Sequence, residues 1–274
     1  MRNYLAVFLV CTASLLPLAS WAAENSSKSE DQPLLLWNGK EIPPLCFDKL
    51  LGPEAVEKVD IATCEKNDAI KNIKTLRTKD SFLKTSYQYA EEEESFSPPY
   101  MSYRVVGKQG SDVVVETAWR SGGSGRFSEV LIVQVEGETL VVKKIIWGGD
   151  RCNGGILDAE IKDEKIHATI NITPADFPVI AYGEDRGIEA YADLEAGAAS
   201  CFATVTYAGD DVSKVTLSVD FPWDESKEWV SRYKYQACFN QTFSKQIKEK
   251  SELSLVEFRS FVDKFFKDCV SQTK

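Results

Sequence analysis

The sequence predicts an α+β fold: a central antiparallel β-sheet, a short helical N-terminal segment and a C-terminal helix pair, stapled by disulfides. Three observations carry this. From Tyr100 onward, short runs rich in β-branched and aromatic residues alternate with compact turn signals. Residues 254–274 carry a helix-start signature followed by an aromatic stripe at helical spacing. Six cysteines remain once Cys11 is assigned to a leader, and an even number in an exported chain reads as a disulfide framework.

The chain begins MRNYLAVFLVCTASLLPLASWAA. Arg2 supplies a positive start, Leu5 to Leu18 is apolar apart from Thr12 and Ser14, and Ser20-Trp21-Ala22 has the small-x-small pattern of a cleavage site. Residues 1–22 are therefore expected to be a secretory signal peptide. The apolar run is short for a membrane span and is followed by the polar ENSSKSEDQ, so no stable membrane insertion is expected. Residues 23–36 read as a disordered lead-in.

Residues 37–99 read as a helical, disulfide-tied segment ending in an acidic linker. Pro53 with Glu54 and Glu57 suits a helix start, where the macrodipole favours acids. Asn67 or Asp68 is placed to cap a second helix carrying Ile70, Ile73 and Leu76 on one side. Glu91 to Glu94 followed by Pro98-Pro99 reads as a solvated linker.

Residues 100–222 form the expected antiparallel β domain. The strands are YMSYRVV, DVVVETAW, RFSEVLIVQV, TLVVKKIIW, GILDAEI, KIHATINI, CFATVTY and KVTLSVDF. Connections such as Glu136-Gly137-Glu138 and Asp163-Glu164 are short enough for hairpins. Residues 223–274 are expected to form the helix pair. Trp229, Tyr233, Ala237 and Cys238 fall in the first helix. Ser254 and Glu257 make a capping box for the second, whose stripe runs Leu255, Phe258, Phe261, Val262, Phe265, Phe266, Cys269. Nearest-neighbour pairing of the cysteines gives Cys46–Cys64, Cys152–Cys201 and Cys238–Cys269, each loop lying within one stretch of uniform pattern.

Composition narrows the function. A formal net charge of −10 with no basic cluster disfavours nucleic acid, because phosphate contacts need concentrated Lys and Arg. The cysteines lack C-x-x-C spacing and His167 is the only histidine, so neither a metal nor a cofactor is expected. His167 falls on the polar face of KIHATINI, which leaves Ser–His or Cys–His catalysis without a base. Paired carboxylates remain open as catalysts, since 42 acidic residues guarantee neighbours.

Two glycine-rich clusters stand out. The first, Ser121-Gly122-Gly123-Ser124-Gly125-Arg126, fails as a P-loop because no Lys-Ser/Thr follows, and fails as a nucleophile elbow because a strand follows instead of a helix. It reads either as a flexible hairpin connection or as a recognition loop whose glycines let a partner approach the backbone. The second is WGGDRCNGGI, with Asp150, Arg151, Cys152 and Asn153 between glycine pairs. If RFSEVLIVQV and TLVVKKIIW pair in register, both clusters emerge at one end of the sheet. The candidate binding surface is therefore Ser121 to Arg126 with Asp150, Arg151 and Asn153.

The arrangement SGGSGRFSEVLIV … LVVKKIIWGGDRCNGG, over roughly residues 110–173, resembles a β-module of exported bacterial proteins of unknown function, in which a GGSGxF strand is followed one hairpin later by a GDR turn. The Ser-Gly-rich loop is also similar to that of periplasmic lysozyme inhibitors, which insert such a loop into the enzyme cleft and typically carry tyrosine where this chain has Phe127. The first resemblance implies a bacterial β-module and carries no activity with it; the second implies a loop that docks on another protein. Together the readings predict a periplasmic or secreted, non-catalytic binding protein whose partner is another protein, in concrete form an inhibitor of, or immunity protein against, a secreted hydrolase. A cell-envelope hydrolase with paired carboxylates and a structural envelope component are the alternatives.

Overall fold

The computed structural model describes residues 34–51, 55–91, 97–183, 193–218 and 233–271. The expected signal peptide, most of the lead-in, Pro53, Glu54, Trp229 and most of the acidic run lie outside these residues.

The chain enters with a small antiparallel pair, β1 (Leu36–Trp37) and β2 (Lys40–Glu41), then α1 (Leu45–Leu51). Strands β3 (Lys58–Asp60), β4 (Ile70–Arg77) and β5 (Leu83–Tyr89) follow. Here the structure corrects the expected second helix: Ile70, Ile73 and Leu76 lie on strand β4. That strand buries no side chain fully and is held by its backbone ladder with β5. Asn72 adopts φ 55° where the register slips between Lys71 and Lys74, and this slip turns an alternating pattern into one that mimics a helical period.

From Tyr100 the expected strands appear. They are β6 (Tyr100–Gln109), β7 (Asp112–Arg120), β8 (Phe127–Glu136), β9 (Thr139–Asp150), β10 (Ile156–Lys162) and β11 (Lys165–Ile172). A 3₁₀ turn, Pro174–Asp176, runs into α2 (Phe177–Tyr182). Then come β12 (Ala203–Ala208), β13 (Asp211–Leu217), α3 (Gln236–Glu249), β14 (Glu252–Leu253), α4 (Leu255–Phe265) and a closing π-helical turn, Phe266–Val270.

The expected central sheet is two sheets, both antiparallel. One has the order β3-β9-β8-β7-β6-β5-β4, the other β10-β11-β12-β13-β14. The chain changes sheet between β9 and β10, at the second glycine-rich cluster. One face of the seven-stranded sheet packs Tyr103, Val115 and Leu131 against Phe47 and Ile42 of the N-terminal segment. The Phe47 and Tyr103 rings lie 4.7 Å apart, and the Tyr103 hydroxyl donates to the Ile42 carbonyl at 2.8 Å. The Cys46–Cys64 disulfide fastens this layer.

The other face meets the five-stranded sheet and the helices in a second core. Val114 and Val130 join it from the seven-stranded sheet, and Ile166, Ala168, Ile170 and Ile172 from β11. Arg104 crosses between the sheets. It donates to Glu116 at 2.6 Å and to Asp158 at 2.9 Å. Phe258, Phe261 and Phe265 of the predicted stripe are buried with Phe177, Phe239 and Phe243. Burying one such ring contributes up to roughly 3 kcal/mol. The Ser254–Glu257 capping box forms, with Ser254 N–H donating to Glu257 at 2.8 Å. Cys238 and Cys269 tie α3 to the turn after α4; Tyr233 precedes α3, while Ala237 and Cys238 lie within it. No helix among the described residues is long and apolar enough to cross a membrane.

Candidate functional site

Register decides where the two clusters go. Trp119 pairs with Phe127 across β7 and β8, and Phe127 pairs with Asp150 across β8 and β9. Both clusters therefore lie at one end of the seven-stranded sheet. The Trp119 and Phe127 rings stack at 4.4 Å and close the base of the Ser121–Arg126 loop. Gly122 has φ 97°, a conformation that favours glycine. A Cβ on Gly125 would sit 2.6 Å from the Phe127 ring, whereas one on Gly123 would meet nothing within 4 Å. Ser121, Gly123, Ser124 and Arg126 are exposed.

The second cluster is a folded knot. Asp150 and Asn153 exchange two backbone hydrogen bonds of 2.9 Å, and Arg151 turns the chain with φ 50°. Gly154 N–H donates to the Asn171 carbonyl at 3.0 Å, while Asn171 N–H donates to Gly155 at 2.9 Å, which hands the chain to the five-stranded sheet. Ser128 on β8 accepts the Ile156 N–H at 2.8 Å. The Cys152–Cys201 disulfide holds the turn against the segment before β12, where Ala198 also accepts the Cys152 N–H at 3.2 Å.

Asp150 joins the clusters. Its carboxylate accepts the Arg126 backbone N–H at 2.8 Å and the Arg151 guanidinium at 3.0 and 3.1 Å. Desolvation pushes its pKa up, but the hydrogen bonds from Arg151 and Arg126 win and hold it below the usual carboxylate value. The Arg151 fork is thus folded back on Asp150. The Arg126 guanidinium makes no ion pair with the described residues. Asn153 faces elsewhere, into the cleft described below.

Beneath the loop lies a carboxylate that the sequence reading passed over. Glu129 accepts from Thr117 at 2.5 Å and from the Trp119 indole at 2.9 Å. Burial raises its pKa; the Thr117 and Trp119 hydrogen bonds work in the other direction and do not compensate. The signal was present: Phe127, Glu129, Leu131 and Val133 share one strand face, and an acid on an apolar face is the anomaly.

A cleft of about 380 Å³ opens where the two sheets and α2 meet. Asn153, Gly148 and Gly154 form its rim on the turn side. Trp147 of β9 and Tyr207 of β12, stacked at 5.4 Å, line it with Asp176 from the 3₁₀ turn. Thr173-Pro174-Ala175-Asp176 is the sequence signal for that turn, a capping pattern that two nearby prolines obscure. His167 lies outside this site, on the half-exposed face of β11.

Comparison with protein-family models, curated proteins and solved structures finds no match for this chain.

Proposed function

We propose that this protein is an exported, non-catalytic binding protein that docks the Ser121–Arg126 loop on another protein, in concrete form the cleft of a secreted hydrolase. The observation that carries the reading is the contrast within the loop. Its base is fixed by the Trp119–Phe127 stack and the Arg126–Asp150 hydrogen bond, while Gly123, Ser124 and the Arg126 side chain face solvent. A base already fixed in the free protein lowers the ordering cost of docking. Arg126 presents a planar donor fork suited to a carboxylate, the group that many hydrolases place in their clefts. Inhibition of a muramidase, as in the lysozyme inhibitors whose loop this one resembles, is the first form to test.

The carboxylate-hydrolase alternative has less support. Such an enzyme needs two carboxyl groups facing one cleft. Asp176 is the only carboxylate among the described residues lining the cleft. Glu116 and Glu129 oppose successive positions of β7 and β8 and so project from opposite sheet faces.

The experiment is a titration of purified secreted muramidases with the protein and its Arg126→Ala variant. Stoichiometric loss of turnover, relieved at least tenfold by Arg126→Ala with an unchanged melting temperature, is the expected result. Failure to inhibit, together with intrinsic turnover of cell-wall polymer abolished by Asp176→Asn, would replace this reading with the enzymatic one.

A further inference from the structure

We infer that the cleft between β9, β11, β12 and α2 is a second, independent binding site for a small organic amine, an ammonium head on an apolar body. Its volume, about 380 Å³, lies at the small end of the range for ligand clefts, roughly 300–1,000 Å³. One wall is Ile170, Ile172 and Val205 from the five-stranded sheet. Ile146 faces them from β9, and Val179 and Ile180 from α2. Aliphatic walls of this kind would leave the hydroxyls of a sugar unpaired, so a polyol does not suit the cleft.

The polar part of the lining chooses the head group. Asp176 is a single carboxylate, and no lysine, arginine or histidine stands among the described lining residues. One of its oxygens, Oδ2, accepts from the Thr173 N–H at 2.8 Å and the Thr173 hydroxyl at 2.7 Å. The other, Oδ1, has no hydrogen-bond partner among the described residues. The stacked Trp147 and Tyr207 rings line the same cleft, and aromatic rings attract a cation. Burial, and then the charge of Asp176, push the Tyr207 pKa up, which places that carboxylate within electrostatic reach of the ring system. Carboxylate, aromatic faces and aliphatic walls together match a primary or quaternary ammonium carried on a hydrocarbon. An anionic ligand would meet Asp176 and a protein of net charge −10.

The site shares only the 148–155 turn with the recognition loop and does not depend on the reading of that loop. Isothermal titration of the full chain with 2-phenylethylamine, 2-phenylethanol and phenylacetate tests it. The amine should bind at least tenfold more tightly than the alcohol, and phenylacetate more weakly than either. Asp176→Asn keeps an acceptor for Thr173 and should bring the amine down to the affinity of the alcohol. Val179→Trp, at a position 46% exposed on α2, should fill the cleft and abolish binding of both while leaving the charge in place. Equal affinity for amine and alcohol, no heat with the amine at any soluble concentration, or an amine preference retained in Asp176→Asn would overturn the inference. Should Asp176→Asn fail to fold, Val179→Trp decides: undiminished amine binding there rules the site out.

Discussion

The two clusters are both rich in glycine and use it in different ways. In the Ser121–Arg126 loop, the Gly123 position opens to solvent. In the turn after β9, a Cβ on Gly149 would lie 2.0 Å from the Asn153 carbonyl oxygen, and one on Gly155 would lie 2.2 Å from that of Arg151. The second set of glycines exists so that backbone can touch backbone where the chain passes from one sheet to the other. In the first set Gly122 serves the turn and Gly125 lies against the Phe127 ring, while Gly123 leaves room that the fold itself does not use. Glycine content alone therefore does not mark a recognition surface; what surrounds the missing side chain does.

Four substitutions test this contrast. Gly149→Ala forces a backbone clash and is expected to destabilise by about 3 kcal/mol, measured by denaturant melting. A loss under about 1 kcal/mol would mean that the turn relaxes freely and that the contrast is false. Asp150→Ala removes the bonds to Arg126 N–H and Arg151 and should cost about 2 kcal/mol at pH 7. Because the folded pKa of Asp150 is depressed, this contribution is complete above the unfolded value near 3.9 and vanishes as pH falls through the folded one. The difference between wild type and variant should shrink in acid.

Glu129 has the opposite sign. Its folded pKa is raised, so between the unfolded value near 4.3 and the folded value the native state binds more protons than the unfolded chain, and stability falls as pH climbs through that window. Glu129→Gln should raise stability at pH 7 by on the order of 1 kcal/mol and flatten that slope in a pH series of thermal melts. Gly123→Ala is the smallest effect, within about 0.5 kcal/mol of wild type, since its Cβ meets nothing and its φ is not positive.

The strands from β6 to β13 were legible because they are rich in β-branched and aromatic residues between turn signals; β11, with His167 and its neighbours, also alternates cleanly. The three cysteine pairs were legible because each closes within one local unit. Strand β4 was not, because its stability lies in backbone pairing that side-chain pattern does not encode, and because the slip at Asn72 disturbs its period. The division into two sheets was hidden for a related reason. Residues 148–155 carry ordinary turn residues, and the hydrogen bonds between Gly154, Gly155 and Asn171 show that this turn carries the chain from one sheet to the other. At the site, the meeting of the loop with Asp150 followed from register. The inward fold of Arg151 and the placing of Asn153 in the cleft depend on side-chain directions set by that crossing.

The stacked Trp119 and Phe127 rings form a collar that separates what lies above from what lies below. Pairing of β7 with β8 stops at that collar, so the loop tip around Gly123 can change length or identity without disturbing the ladder beneath. Closing a loop twice as long costs only about 0.6 kcal/mol in chain entropy. The molecule is thus built as a frame with an exchangeable cassette. Foreign peptides inserted between Gly122 and Ser124 should be displayed on an intact, disulfide-bonded scaffold.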